Sequence, residues 1–347
     1  MIELRSDTFT RPTTAMLDAM VRAPLGDDVY GEDPTVNRLE QLAAERLGKE
    51  AACLMPSGTM ANLAALMAHA PRGAKVIVGV ESDIYLYEAA GASVCGGIAY
   101  EPVPNEPDGT LSVAAIEAAF PEDMDDPQFA LPAVICLENT QNRCGGVVLE
   151  QAYQQQVRDL ARHRGVTVHL DGARIFNAAV ASGRSVADVA RYADSVQFCL
   201  SKGLSAPIGS VLVGGGEFVA AARRIRKMIG GGMRQAGVVA AAGIVALEDS
   251  VDRLSEDHAH ARLLAEGLAT LPGVTVDLPQ TNIVLFRVAG RDPGELVSAA
   301  ASAGVAVAGF GHGRIRAVTY RGIDESLIFQ AVDRLREALV RPCASTA

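Results

Sequence analysis

Lys202 stands where an apolar run, residues 196–200, meets the turn Ser201-Lys202-Gly203. A second run, residues 166–170, ends the same way in Asp171-Gly172-Ala173-Arg174. Both reactive groups therefore fall at the carboxyl ends of buried-strand patterns, the edge at which open α/β sheets place their ligands. A lysine amine closes a Schiff base with an aldehyde, and a carboxylate keeps a ring nitrogen protonated. The pair suits pyridoxal phosphate, whose protonated ring takes up the electrons of a carbanion. A third segment, Pro56-Ser57-Gly58-Thr59-Met60-Ala61-Asn62, follows a short apolar strand and opens a helix. Its first amides and the hydroxyls of Ser57 and Thr59 suit a phosphate. Alone, such a turn just as well caps a helix; in one chain with Asp171 and Lys202 it completes a set.

The elements that must position these groups are legible in the pattern. Apolar strands at 51–54, 75–79, 97–100, 133–137, 166–170, 196–200 and 209–213 alternate with helical stretches. Such alternation predicts an α/β fold with a mostly parallel sheet covered on both faces. Ahead of it, Val36, Leu39, Ala43 and Leu47 form one helical stripe that stops at Gly48. One long Ala-rich helix is expected over 237–256, leading out of the sheet domain. Beyond it the pattern predicts a helix at 263–268, strands at 274–276, 283–287 and 315–319, and a closing helix. That helix carries Ile328, Val332, Leu335 and Leu339, with Asp324 as its cap. The division expected is an arm (1–15), a large cofactor domain (16–245) and a smaller C-terminal α+β domain (246–347).

With 347 residues, 49% hydrophobic and 21% charged, the chain can bury a large core. A net charge of −10, with no basic cluster denser than Arg223, Arg224, Arg226 and Lys227, argues against a nucleic-acid partner. Cys53, Cys95, Cys136, Cys144, Cys199 and Cys343 show no ligand spacing, so no metal is expected and they read as reduced core thiols. No leader-like or membrane-spanning apolar stretch is apparent, and the expected compartment is the cytoplasm.

The chain resembles the threonine aldolase and aromatic amino acid β-eliminating lyase family of fold-type I pyridoxal phosphate enzymes. The resemblance lies in LRSDTFTRPT from Leu4, GDDVYGEDPTVNRLE from Gly26, MPSGTMANLAA from Met55, YEAAGA from Tyr87, ICLENT from Ile135, HLDGARIFNA from His169, CLSKGLSAPIGS from Cys199 and RKMIGGGMRQAG from Arg226. These run in family order and cover nearly the whole chain. The resemblance implies Lys202 as the Schiff-base lysine, Asp171 as partner of the pyridine nitrogen, and Ser57, Gly58 and Thr59 as the phosphate cradle. It implies that Ser6, Arg174 and Arg316 hold the substrate carboxylate or the cofactor's phenolic oxygen. It places Tyr30, Gln128 and Lys227 with the substrate-binding residues, Tyr30 and Lys227 near a subunit boundary, in a homodimer or homotetramer. The guanidinium fork suits a carboxylate on its own chemistry. Plainer roles stand beside these: an ion pair for either arginine, a cap for Ser6, a solvated helix face for Lys227, loop ordering for Glu138. His169 reads as support for Asp171 or as a packed strand histidine. Tyr85, Tyr87, Phe129 and Tyr320 are candidate pocket walls or core residues.

The departures concern imidazoles. Where the family carries a histidine that stacks on the cofactor ring, this chain has Asp83, and Gln128, Gln141 and Tyr320 stand at or near three further family histidines. The implied reaction is retro-aldol cleavage of an L-threonine-like β-hydroxy-α-amino acid to glycine and an aldehyde. It needs an electron sink, an oriented Cα–Cβ bond and a base for the β-hydroxyl proton. Neutral Gln128 cannot be that base; Asp83 or water can. The alternatives are racemisation, β-elimination or transaldolation at the same α-carbon, and a non-catalytic homologue.

Overall fold

The computed structural model describes residues 1–340, and two compact units emerge: residues 11–252, and residues 1–10 together with 253 onward. The chain opens with β1 (Ile2–Glu3). The first unit then contributes β2 (Ala51–Met55), β3 (Lys75–Gly79), β4 (Ala99–Val103), β5 (Pro132–Glu138), β6 (Thr167–Asp171), β7 (Ser195–Cys199) and β8 (Ser210–Gly214). These form one sheet in the order β2-β8-β7-β6-β5-β3-β4. Every neighbouring pair is parallel except those of β8, which runs antiparallel to both β7 and β2. β2 therefore still points the same way as β7, and β2, β3, β5, β6 and β7 all end at one edge. The apolar runs are buried as expected: Val76 and Val78 pack with Leu66 and Ile98, while Cys53, Met55 and Leu212 pack against Ala61, Ala64 and Ala222.

Local sequence sets the helices around this sheet. Asp33 caps the helix Pro34–Leu47, its Oδ1 accepting from the amides of Thr35 and Val36 at 3.0 Å each. Gly48 ends that helix at φ +63°, in the left-handed region that glycine enters without a Cβ penalty. The long helix expected over 237–256 is instead two. Gly237–Asp249 stops at Ser250, and Leu254–Ala269 begins after a turn, where Arg253 pairs with the buried Asp257 at 2.7 Å. Burying Asp257 with its partner fixes the second helix start more strongly than alanine propensity can extend the first.

The second unit completes the strands with β9 (Val274–Val276), β10 (Ile283–Val288), β11 (Val305–Ala306), β12 (Ala308–Gly309) and β13 (Ile315–Val318). An antiparallel sheet, β12-β13-β10-β9, packs through Val284, Phe286 and Ile315 against helices Leu254–Ala269 and Glu325–Val340. β1 pairs in parallel with β11, so the first ten residues belong to this unit. Asp324 does cap the closing helix, accepting from the Leu327 amide at 2.9 Å. The cysteine expectation is corrected in part. Cys53, Cys136 and Cys199 are buried, but Cys95 is exposed and Cys144 partly so, because both lie outside the strands. Cys343 lies outside the described residues. Among the described residues no helix is long and apolar enough to cross a membrane and no metal-ligand cluster occurs.

Candidate active site

The common strand edge gathers Ser57 after β2, Asp83 after β3, Asp171 at the end of β6 and Lys202 after β7. With Gly58 and Thr59 they line one cavity of about 260 Å³. Lys202 sits in a turn closed by Ser205 N–H on the Lys202 carbonyl (2.9 Å) and Ala206 N–H on the Leu200 carbonyl (3.0 Å). Ser205 is buried at φ +69°, a left-handed conformation that costs a non-glycine residue roughly 1–3 kcal/mol. That turn is held by its surroundings rather than by local preference.

Asp171 is 2% exposed. Its Oδ1 accepts from the Ala173 amide (3.0 Å) and from Gln197 Nε2, and its Oδ2 accepts from Asn62 Nδ2 (2.9 Å). Burial and the nearby Asp83 charge push its pKa up, opposed by Lys202 and by the Ala173 and Asn62 donors. A cation placed against the remaining lone pair of Oδ2 would bring it down again.

The helix Gly58–His69 starts at this cavity. Ser57 caps it, its Oγ accepting from the Met60 amide at 3.2 Å, so the amides of Gly58 and Thr59 have no partner within the helix. A Cβ on Gly58 would lie 2.9 Å from Cys199 Sγ, so glycine is what lets this helix start come so close to β7. A helix N-terminus of this kind binds anions.

Asp83 opens the short helix Asp83–Leu86. Its amide donates to Glu138 Oε2 (2.8 Å) and its Oδ1 accepts from Asn142 Nδ2 (3.0 Å), while Glu138 Oε1 accepts from the Asn142 amide (2.8 Å). Glu138 thus ties the loop after β5 to the turn that carries Asp83, which is the loop-ordering role. Burial, then the charges of Asp83 and Asp171, push its carboxyl well above the usual range. From the same loop, Arg143 Nη1 donates to the Tyr87 hydroxyl (3.0 Å) and Gln141 Nε2 to the Glu81 carbonyl (2.8 Å). Tyr87 lines the cavity.

Other expected residues fall elsewhere. Gln128 lies on an exposed loop, its side chain on Asp126, away from the cavity lining. Arg174 is buried at the start of the helix Ile175–Ser182 and is not a lining residue. Tyr30 is exposed, with the Arg234 guanidinium 5.9 Å from its ring centroid. Lys227 lies on the helix Gly216–Met228, beside a wholly buried Arg226. Ser6 and Arg316 belong to the other unit: Ser6 caps a single turn there, and Arg316 Nη2 donates to the Arg5 carbonyl at 2.9 Å. Tyr85 meets Tyr100 edge to face, Phe129 is exposed, and the Tyr320 hydroxyl donates to the Glu3 carbonyl at 2.8 Å.

Asn62, Glu88 and Gln197 line the cavity without having been singled out from sequence. Gln197 had a signal, a polar residue inside the otherwise apolar run Val196–Leu200 that alternation places on one face with Cys199.

Residues 3–291 match the family described as beta-eliminating lyase. The chain belongs to that family. It is 50% identical, over 288 residues (83% of this chain, 85% of the relative), to the low specificity L-threonine aldolase of Escherichia coli K12. It is 49% identical over 286 residues (82% and 81%) to the probable low-specificity L-threonine aldolase 2 of Arabidopsis thaliana. Among solved structures, the threonine aldolase of Leishmania major aligns with a TM-score of 0.82 at 21% identity, covering 98% of this chain and 100% of that one, a likeness of fold. The cavity suits the cofactor such a family member would carry. It offers a capped helix start for a phosphate, an amine for an aldehyde, and a buried carboxylate with an open lone pair for a ring nitrogen.

Proposed function

We propose that this β-eliminating lyase family member is a pyridoxal phosphate-dependent carbon–carbon lyase that cleaves L-threonine and similar β-hydroxy-α-amino acids to glycine and an aldehyde. The observation that carries the reading is the convergence of Lys202, Asp171 and the Ser57–Thr59 helix start on one cavity, in a chain half identical to proteins named L-threonine aldolases. When bound, the cofactor supplies an electron sink for the pair released from the Cα–Cβ bond. Lys202 Nζ would hold it covalently, the amides of Gly58 and Thr59 and the Ser57 hydroxyl would bind its phosphate, and Asp171 Oδ2 would hold the proton on its ring nitrogen. Arg174, next to the lining residue Ala173 though not itself on the wall, is the guanidinium proposed to meet a substrate carboxylate. Asp83 receives the β-hydroxyl proton on Oδ2, directly or through one water, since Oδ1 is committed to Asn142. Asn142 holds that carboxylate and Glu138 holds the Asp83 backbone amide, so the base is positioned without an imidazole.

Exposed Leu17 and Val21, one turn apart on the helix Thr14–Arg22, support self-association as a dimer or tetramer, in which Tyr30 and Lys227 lie near the boundary. The proposed compartment is the cytoplasm, whose reducing poise keeps cysteines as thiols.

The test is acetaldehyde release from L-threonine and L-allo-threonine by cofactor-loaded protein. Lys202→Ala is expected to abolish release, and Asp83→Asn to slow it about 10²-fold or more, the usual contribution of a positioned base. A loaded protein that forms no acetaldehyde would sink the aldolase reading. It would favour racemisation, β-elimination or transaldolation, the alternatives left open by Asp83 standing where the family carries an imidazole.

A further inference from the structure

Asn62 is 1% exposed and lies between two carboxyl groups. Its Nδ2 donates to Glu88 Oε1 at 2.8 Å and to Asp171 Oδ2 at 2.9 Å, and its Oδ1 is 3.0 Å from His169 Nε2. Burial and the Asp171 charge push the Glu88 carboxyl well up, so Glu88 does not decide the orientation; Asp171, the carboxylate that faces the ring nitrogen, does, because turning the amide over would set its carbonyl oxygen against it. Oδ1 must then accept, and the hydrogen of His169 sits on Nε2. His169 is wholly buried, and burial pushes its pKa down to about 3. A neutral ring has one N–H, so His169 Nδ1 accepts, and the donor is the Ser195 hydroxyl at 2.8 Å. With its only hydrogen committed, Ser195 Oγ accepts from His69 Nε2 at 2.7 Å. His69 stacks on Phe218, ring centroids 4.3 Å apart. One choice at Asp171 thereby assigns every hydrogen along the chain, and each donor points toward Asp171.

The elements explain why this chain can exist. Asn62 and His69 lie seven residues apart on the helix Gly58–His69, hence on one face and separated by roughly 10 Å of helix rise. The gap is bridged from the sheet, where His169 and Ser195 are register partners on β6 and β7.

We propose that His69, Ser195, His169 and Asn62 are positioning residues, a directional relay that orients and polarises the donor on Asp171 and so sets how strongly Asp171 holds a proton on the cofactor's ring nitrogen. The proposal rests on the reading of the cavity as a pyridoxal phosphate site. It deepens the support role weighed for His169, which reaches Asp171 only through Asn62.

The experiment compares binding of pyridoxal phosphate with binding of its analogue bearing carbon in place of the ring nitrogen, in wild type and Ser195→Ala. It also follows the pH midpoint of the visible absorption of the lysine-bound cofactor. Ser195→Ala is expected to weaken pyridoxal phosphate roughly tenfold, the order of one hydrogen bond's worth of polarisation, while binding of the analogue stays within about twofold. The absorption midpoint should move by about half a unit or more. Equal losses for both ligands with an unmoved midpoint would reduce the four residues to packing and overturn the proposal. If Ser195→Ala does not fold, His69→Gln and His69→Leu replace it. The glutamine keeps an N–H toward Ser195 and should retain the wild-type preference for the nitrogen-bearing ligand, whereas leucine should lose it; identical preferences refute the relay. A wild type that binds neither ligand would instead sink the cofactor reading. A wild type that favours the nitrogen-bearing cofactor, with variants that keep that preference in full, sinks the relay alone.

Discussion

Arg226→Met tests how the loop carrying Tyr30 is anchored. Arg226 and Asp28 are 2% and 1% exposed, with Nη2 and Oδ2 2.8 Å apart, and Arg226 Nη1 also donates to the Leu54 carbonyl at 2.7 Å. Leu54 lies on β2, two residues before the turn that begins the helix start of the cavity. Methionine would fill much of the volume but leave Asp28 as a buried carboxylate whose next cation, Arg223 Nη1, is 3.9 Å away. Breaking a buried ion pair from one side costs about 3–5 kcal/mol. The remaining Arg223 argues for the lower end, about 3 kcal/mol. For a unit of this size that is a fall in Tm of about 6–12 °C. Adding Asp28→Asn removes the stranded charge, leaving mainly the lost bond to the Leu54 carbonyl, about 1 kcal/mol. The double variant should therefore recover about 2 kcal/mol relative to Arg226→Met. The assay is thermal unfolding of wild type, both single variants and the double, followed by circular dichroism at neutral pH. Additive effects, with a coupling below about 0.5 kcal/mol, or an Arg226→Met protein as stable as wild type, would refute the anchoring argument.

Gly172→Ala should cost more than Gly58→Ala in thermal unfolding. A Cβ at 172 meets the Gln197 backbone carbonyl at 2.8 Å, which cannot yield without moving β7, whereas at 58 it meets the Cys199 side chain at 2.9 Å. Overpacking against backbone is worth about 1–3 kcal/mol, and equal losses would contradict the contrast. His258 gives the pH dependence: burial, then the Arg262 charge, push its pKa down to about 4, against about 6.5 when unfolded. The unfolded state then holds the extra proton below pH 6.5. The contribution is full above that value and is lost as pH falls toward 4, by about 1.4 kcal/mol per pH unit. His258→Gln should flatten the stability profile by that slope in urea titrations between pH 4 and 6.5, and an unchanged slope would count against it.

The strands of the large sheet and the places of Lys202 and Asp171 were legible because both are written locally, as an apolar run followed by a turn. The groups that surround Asp171 were not. Asn62 is 109 residues from Asp171 and His69 is 126 from Ser195, and periodicity tells which face a side chain takes but not which distant side chain it will meet. Gln128 shows the converse. A resemblance placed it by alignment in the substrate's neighbourhood, yet its own side chain turns to Asp126, two residues back. The break after Asp249 is not legible because alanine spacing reads as helix on either side, while the pairing of Arg253 with Asp257 matters only because that carboxylate is buried.

The reversed strand β8 has a consequence for how the lysine is secured. From the other groups at the strand edge the chain returns to the sheet through helices, whereas residues 200–209 connect β7 directly to its antiparallel neighbour β8, and the Leu200 amide donates to the Gly209 carbonyl at 3.0 Å. Chain closure costs about 0.6 kcal/mol less for each halving of loop length, so this connection forfeits the least freedom of any around the cavity. Lys202 is leashed on both sides by the sheet itself, and Pro207, Ile208 and Gly209 return along the same cavity wall. Of the strand-to-strand connections that carry the cavity's groups, the shortest is the one that holds the lysine.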